Sequence, residues 1–147
     1  MTESSMKRKA LELFTEKEMK KVERFVPRPA MGRVCSVYDG DSITVIAYLG
    51  KDIYKFSVRI NGVDTPEIRG KNDYEKELAQ KAKKFVHDLC YDKIVTLKNH
   101  GKDKYGRVLA DIYVDEAISV GKELIKAGLA REYHGGTKLG WNGPGAS

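Results

Sequence analysis

Three short stretches hold the side chains whose types and spacing could do chemistry: "DGDS" at residues 39–42, "VDTPE" at 63–67 and "DKYGR" at 103–107. Arg59 stands just ahead of the second, in "VRING". Each stretch also has a plain reading. Asp-Gly is a strong hairpin signal, so "DGDS" could be only a tight turn. "VDTPE" could be only a proline-containing turn, and "DKYGR" a solvated hairpin loop in which Gly106 supplies the special backbone angles. Asp41 is the informative member of the first, because it lies beyond what the turn requires and begins a strand. Together the stretches offer several carboxylates and two arginines. A hard divalent cation needs several oxygen ligands, and phosphoryl chemistry needs cations around the developing charge. Arg59 and Arg107 suit the second task, since a guanidinium grips phosphate oxygens in a planar fork and stays charged at any working pH.

Such residues need a support, and the sequence between them is strand-like. Runs at 33–39, 42–48 and 54–62 are rich in β-branched and aromatic residues and are separated by turn signals, which predicts an antiparallel meander. A helix is expected over 72–90, with Asn72 as N-cap, Glu75 three residues on, and Leu78, Ala82, Phe85 and Leu89 on its buried face. Two further strands follow at 93–99 and 107–114, then a short helix capped by Ser119 and stopped at Gly128. Five short strands with a helix between the third and fourth is the order of an OB-fold barrel. The expected class is therefore α+β, mainly β: a five-stranded OB-fold barrel with two or three helices over residues 31–135.

Residues 1–30 read as an arm. Leu11, Phe14, Met19, Val22 and Phe25 recur at helical spacing, predicting one amphipathic helix over 6–26 that ends before Pro27 and Pro29. Its stripe could pack on the barrel, or the arm could contact nucleic acid or a partner. Residues 136–147, which include "GWNGPGAS", are expected to be a flexible tail.

Bulk properties narrow the class. A chain of 147 residues has room for one domain and an appendage. Its net charge of +6 and pI near 9.2 favour a polyanionic partner, and the arm carries eight Lys and Arg against five Glu. No apolar run approaches the ~20 residues of a membrane span. The N-terminal residues lack the apolar core of a secretory signal, so an intracellular protein is expected. Cys35 and Cys90 read as two ordinary buried thiols, and His87, His100 and His134 are too scattered to share a site.

The motifs "DGDS", "VRINGVDTPE" and "DKYGR", in this order and spacing and closed by "ELIKAGLA", resemble the thermonuclease family, the staphylococcal-nuclease-like nucleases of OB fold. The resemblance spans about residues 33–130. It implies a Ca²⁺-dependent nuclease acting on DNA and RNA and leaving 3′-phosphate ends; a monomer is expected. By it, Asp41, Asp64 and the Thr65 carbonyl would bind the Ca²⁺, and Glu67 would be the general base. Arg59 and Arg107 would clamp the scissile phosphate, with Lys104 and Tyr105 beside the nucleotide's terminal phosphate. Tyr133 would contact the nucleotide, although His134 follows where the family often has a second tyrosine in register, which leaves base preference open. Ser42 stands where the family usually has threonine, and the arm has no counterpart in the family core. The rival reading is an OB-fold module of the same ancestry that binds nucleic acid or protein without cutting.

Overall fold

The alternation that predicts strands also closes them into a barrel. The computed structural model describes residues 1–141. In β6 (Val108–Val114) every second residue is buried, as expected of a strand with one face on a core, and β1 (Met31–Asp39) alternates likewise except for a one-residue slip between Val34 and Val37, where its register with the neighbouring strand shifts. β2 (Ser42–Leu49) and β3 (Asp52–Ile60) pair antiparallel along their whole length, β1 pairs with β2 and with β5 (Ile94–Lys102), and β5 pairs with β6. A parallel pairing of β3 with β6 closes the five-stranded ring. Two short ladders sit outside it: β4 (Val63–Asp64) on β8 (Arg131–Glu132), and β7 (Ile118–Ser119) on β6. The ring encloses Val34, Val45, Val58, Ile60, Val95 and Ile112, and α3 (Asp73–Cys90) and α4 (Val120–Lys126) cover it through Val86 and Leu124.

Helix caps fall where the sequence puts them. Asn72 Oδ1 accepts from the Glu75 amide at 2.8 Å, and Ser119 Oγ from the Lys122 amide at 3.2 Å. Glu75 reaches back one residue further than a capping box, accepting from the Lys71 amide at 2.8 Å. The buried face of α3 is turned by about one residue from the expected stripe: Ala79, Ala82, Val86 and Cys90 form its centre, with Leu78, Phe85 and Leu89 half-buried beside it. Close approach fixes one position of that face. A Cβ on Gly40 would lie 2.9 Å from Ala82 Cβ and 3.0 Å from Thr65 Cγ2, so the turn between β1 and β2 presses on the helix where only small residues fit. Gly40 thus serves packing more than turn geometry. Cys35 and Cys90 are both free, but only Cys90 is buried as expected; Cys35, where the burial alternation of β1 slips, is half-buried, and burial pushes the Cys90 thiol up to about 11.

The arm departs from expectation. It forms two helices, α1 (Glu3–Glu12) and α2 (Glu16–Lys21), instead of one over 6–26, which makes four helices among the described residues in place of two or three. Thr15 restarts the helix with a full capping box to Glu18, a signature already present in "TEKE". Neither helix buries a residue. Of the expected flexible tail, residues 142–147 lie outside the described residues. Residues 136–141 lie against the domain: Trp141 is 8% exposed, the Arg131 guanidinium stacks on it at 3.7 Å, and Asn72 Nδ2 donates to its carbonyl at 3.1 Å. No helix among the described residues is long and apolar enough to cross a membrane.

Candidate active site

Strand register assembles the site around Arg59. On one side Arg59 is opposite Ser42 in β2, one residue after Asp41; on the other it is opposite Leu109 in β6, two residues after Arg107. The Arg59 side chain is almost buried. Its guanidinium donates to the carbonyls of Ile60 and Val63, the latter at 2.7 Å, and lies 3.4 Å from the Asp41 carboxylate. This ties the arginine to the turn that follows its own strand and leaves little rotamer freedom to lose when an anion arrives.

Arg107 is held differently. Asp103 accepts from its Nε at 2.7 Å and from Nη2 at 3.2 Å, and Nη1 donates to Ser42 Oγ at 3.1 Å. Ser42 Oγ in turn donates to Asp41 at 3.2 Å. Asp103 also accepts from the Tyr105 and Arg107 amides, and Gly106 takes the positive φ (81°) that the loop needs. Burial alone would raise the Asp103 carboxyl, but the bonds and charge of Arg107 outweigh it and hold the carboxyl below its usual range. Tyr105, 77% exposed, and Lys104 project from this loop, and the Arg107 guanidinium lies 5.6 Å from the Tyr105 ring.

Asp64 comes from the β4 ladder, where it is opposite Arg131, and is 4% exposed. Lys138 Nζ approaches its carboxylate at 3.4 Å. Thr65 is 2% exposed, and its Oγ1 is the one buried side-chain polar atom among the described residues without a hydrogen-bond partner. Tyr133 donates its backbone N–H to Gly62 O at 2.9 Å and its hydroxyl to Gly136 O at 2.7 Å. Glu67 is exposed and takes part in no ion pair among the described residues.

A cleft of about 390 Å³ brings Asp41, Arg59, Glu67, Tyr105 and Arg107 onto one surface. Asp64 and Thr65 line an adjoining cavity of about 240 Å³, and Glu67 and Lys138 border both. Tyr133 and Lys104 stand apart from the main cleft, in a third cavity that shares Arg59 and Arg107 with it. Among the described residues no three His, Cys, Asp or Glu side chains converge tightly enough to form a metal site of their own. Asp64, nearly buried next to the orphaned Thr65 hydroxyl, and Asp41, nearly buried in the adjoining cleft, nevertheless offer oxygens of the type a hard cation takes, provided carbonyl, water or substrate oxygens complete its shell.

Residues 57–139 match the family model of staphylococcal nuclease homologues. The chain belongs to that family. It is similar to an uncharacterized endonuclease of Haemophilus influenzae, 36% identical over 101 residues covering 69% of this chain and 51% of that one. It is also similar to endonuclease YncB of Bacillus subtilis, 43% identical over 96 residues (63% and 43% of the two chains), and to a probable endonuclease of Colletotrichum graminicola, 30% identical over 143 residues (81% and 51%). The chain spans about half the length of these curated relatives.

This staphylococcal nuclease homologue holds Asp41 and Ser42 ahead of the matched segment and the other site residues within it. Three participants have no role in the reading of the motifs. Asp103, the first residue of "DKYGR", fixes the Arg107 fork, and a carboxylate four residues before an arginine is the signal that could have found it. Asp39 accepts from the Asp41 amide at 3.1 Å, and burial, reinforced by the Asp41 carboxyl, raises it to about 7. The "D-G-D" spacing announces that pair. Lys138 has no local signal, since only the fold-back of residues 136–141 brings it to Asp64.

Proposed function

We propose that the protein is a Ca²⁺-dependent nuclease that hydrolyses phosphodiester bonds of DNA and RNA to leave 3′-phosphate ends. The observation that carries this reading is the single cleft bordered by Asp41, Arg59, Glu67 and Arg107, in a chain of this family. Asp41, Asp64 and the Thr65 carbonyl would hold the Ca²⁺, which when bound supplies neutralising charge beside the scissile phosphate. The chain's own groups do the rest. Arg59 and Arg107 direct N–H donors at the equatorial phosphate oxygens, where charge builds in the transition state. Glu67, exposed and in no ion pair among the described residues, accepts the proton of the attacking water as its oxygen bonds to phosphorus. The 5′-oxygen leaves on the opposite side and takes a proton from solvent, giving a 3′-phosphate and a 5′-hydroxyl. Lys104 and Tyr105 flank the phosphate terminus of the nucleotide, and Tyr133 the base or sugar. All of these groups come from one chain, so the reading needs no partner subunit.

Plasmid nicking tests it. The parent should nick in Ca²⁺ and stop in chelator, while Glu67→Gln and Arg107→Ala should each fall roughly 10²- to 10³-fold. Variants that cut at the parent rate would overturn the assignment, and a parent that binds the plasmid without nicking would leave a binding module.

A further inference from the structure

The segment that joins the arm to the barrel is not a loose hinge. Pro29 is buried, its carbonyl lies 2.7 Å from His100 Nε2, and the Leu97 amide donates to Ala30 O at 2.9 Å. With Pro27 and Pro29 limiting its backbone, this tether holds residues 24–27 beside the loop that carries Lys104 and Arg107. The two walls enclose a groove of about 370 Å³, within the range of roughly 300 to 1,000 Å³ that small-ligand clefts occupy. Arg107 borders this groove, the main cleft and the cavity next to Tyr133 alike, so the three open onto a common clamp.

The groove walls combine an exposed aromatic ring with two cations. Phe25 stands 75% exposed on one wall. Arg24 beside it and Lys104 opposite join no ion pair among the described residues, which leaves both charges open to an anion. The one carboxylate in the wall, Asp103, is already occupied by Arg107. An open aromatic face between unpaired cations, continuous with a phosphate clamp, is what a strand of unpaired nucleotides needs: a base stacks on the ring while the cations follow the backbone.

We infer that Arg24 and Phe25 form a nucleotide subsite of the arm junction, extending the cleft to hold a single-stranded stretch of DNA or RNA one or more nucleotides away from the scissile phosphate. The inference rests on the proposed nuclease reading. It assigns the junction to substrate recognition and predicts a preference for unpaired substrate, because a paired base cannot turn its face to Phe25.

The test uses the full chain and fluorescence anisotropy with labelled 12-mers, single-stranded DNA, single-stranded RNA and the DNA duplex, in chelator so that nothing is cut. Phe25→Ala should weaken both single strands roughly tenfold and the duplex by less than twofold, and Phe25→Trp should restore them. Arg24→Ala should lower the salt slope by about 0.7 per lost phosphate contact. Since Phe25 and Arg24 are exposed, thermal melts should match the parent. A parent that binds single strands and nicks plasmid in Ca²⁺, with Phe25→Ala binding equally well, would overturn this subsite alone. Equal losses on single strand and duplex, unrelieved by tryptophan, would overturn the stacking role. A parent with neither binding nor nicking would overturn both this inference and the nuclease reading.

Discussion

The two ends of this chain exchange the roles that their compositions suggest. The N-terminal arm has an apolar residue every three to five positions, helix caps and paired charges, yet α1 and α2 bury nothing, and Leu11, Leu13 and Phe14 remain exposed. Residues 136–141 are glycine-rich with little periodicity, yet they lie on the domain through Trp141 and carry Lys138 to Asp64. The difference lies in the partner. Amphipathic periodicity orders a segment against the rest of the protein only when a complementary surface is in reach, and a six-residue helix gains little from its own turns. A single aromatic ring with a cation on its face and carbonyls in reach of guanidinium and amide donors needs no periodicity. Arg131 supplies the stack and bonds to Leu139 O at 3.3 Å and Gly140 O at 2.9 Å, while Asn72 holds Trp141.

The contrast breaks most readily at the tryptophan. Trp141→Ala should cost about 2 to 4 kcal/mol, seen as a melting temperature lower by roughly 5 to 15 °C, because it empties a nearly closed site and strands the Arg131 face. An unchanged melt would mean that the C-terminal segment is as free as the arm. Arg131→Lys should have an intermediate effect of about 1 kcal/mol in a denaturant titration: the charge stays, but the planar stack and the two-carbonyl fork go. A loss as large as that of Trp141→Ala would assign the anchoring to Arg131 itself. The smallest change belongs to the arm. Removing residues 1–22 should shift stability by no more than ~0.5 kcal/mol, since what disappears is exposed i,i+4 ion pairs and fraying turns. A calorimetric loss above about 1 kcal/mol would show that the arm's apolar stripe does pack, and would bring the two ends back to equivalence. The cut stops before Arg24 because residues 29 and 30 bond to β5.

Legibility in the sequence follows the range of the interaction. The Asn72 and Ser119 caps and the Gly106 turn are readable because each is a hydrogen bond or backbone angle set within three or four residues. The break at Thr15 was readable for the same reason, through its capping box, but lay inside a stripe whose helical spacing runs straight past it. The face of α3 differs from the expected one because large apolar residues suggest the centre of a stripe, whereas the small Ala79 and Ala82 occupy it, Ala82 under the close approach of Gly40. Nothing local could reveal that approach.

The same boundary divides the candidate site. By itself the sequence determined its chemical inventory: acids and arginines in three motifs, strands to carry them and turns to expose them, since residue type, alternation and turn propensity are properties of neighbours along the chain. Only the tertiary structure decided which of them meet. The parallel closure of β3 on β6 sets Arg59 beside the strand that follows Arg107, and the fold-back past Arg131 delivers Lys138 to Asp64. Ladder pairing between distant segments and burial of one ring depend on the whole barrel being closed, because their free energy is released only when both surfaces are present together.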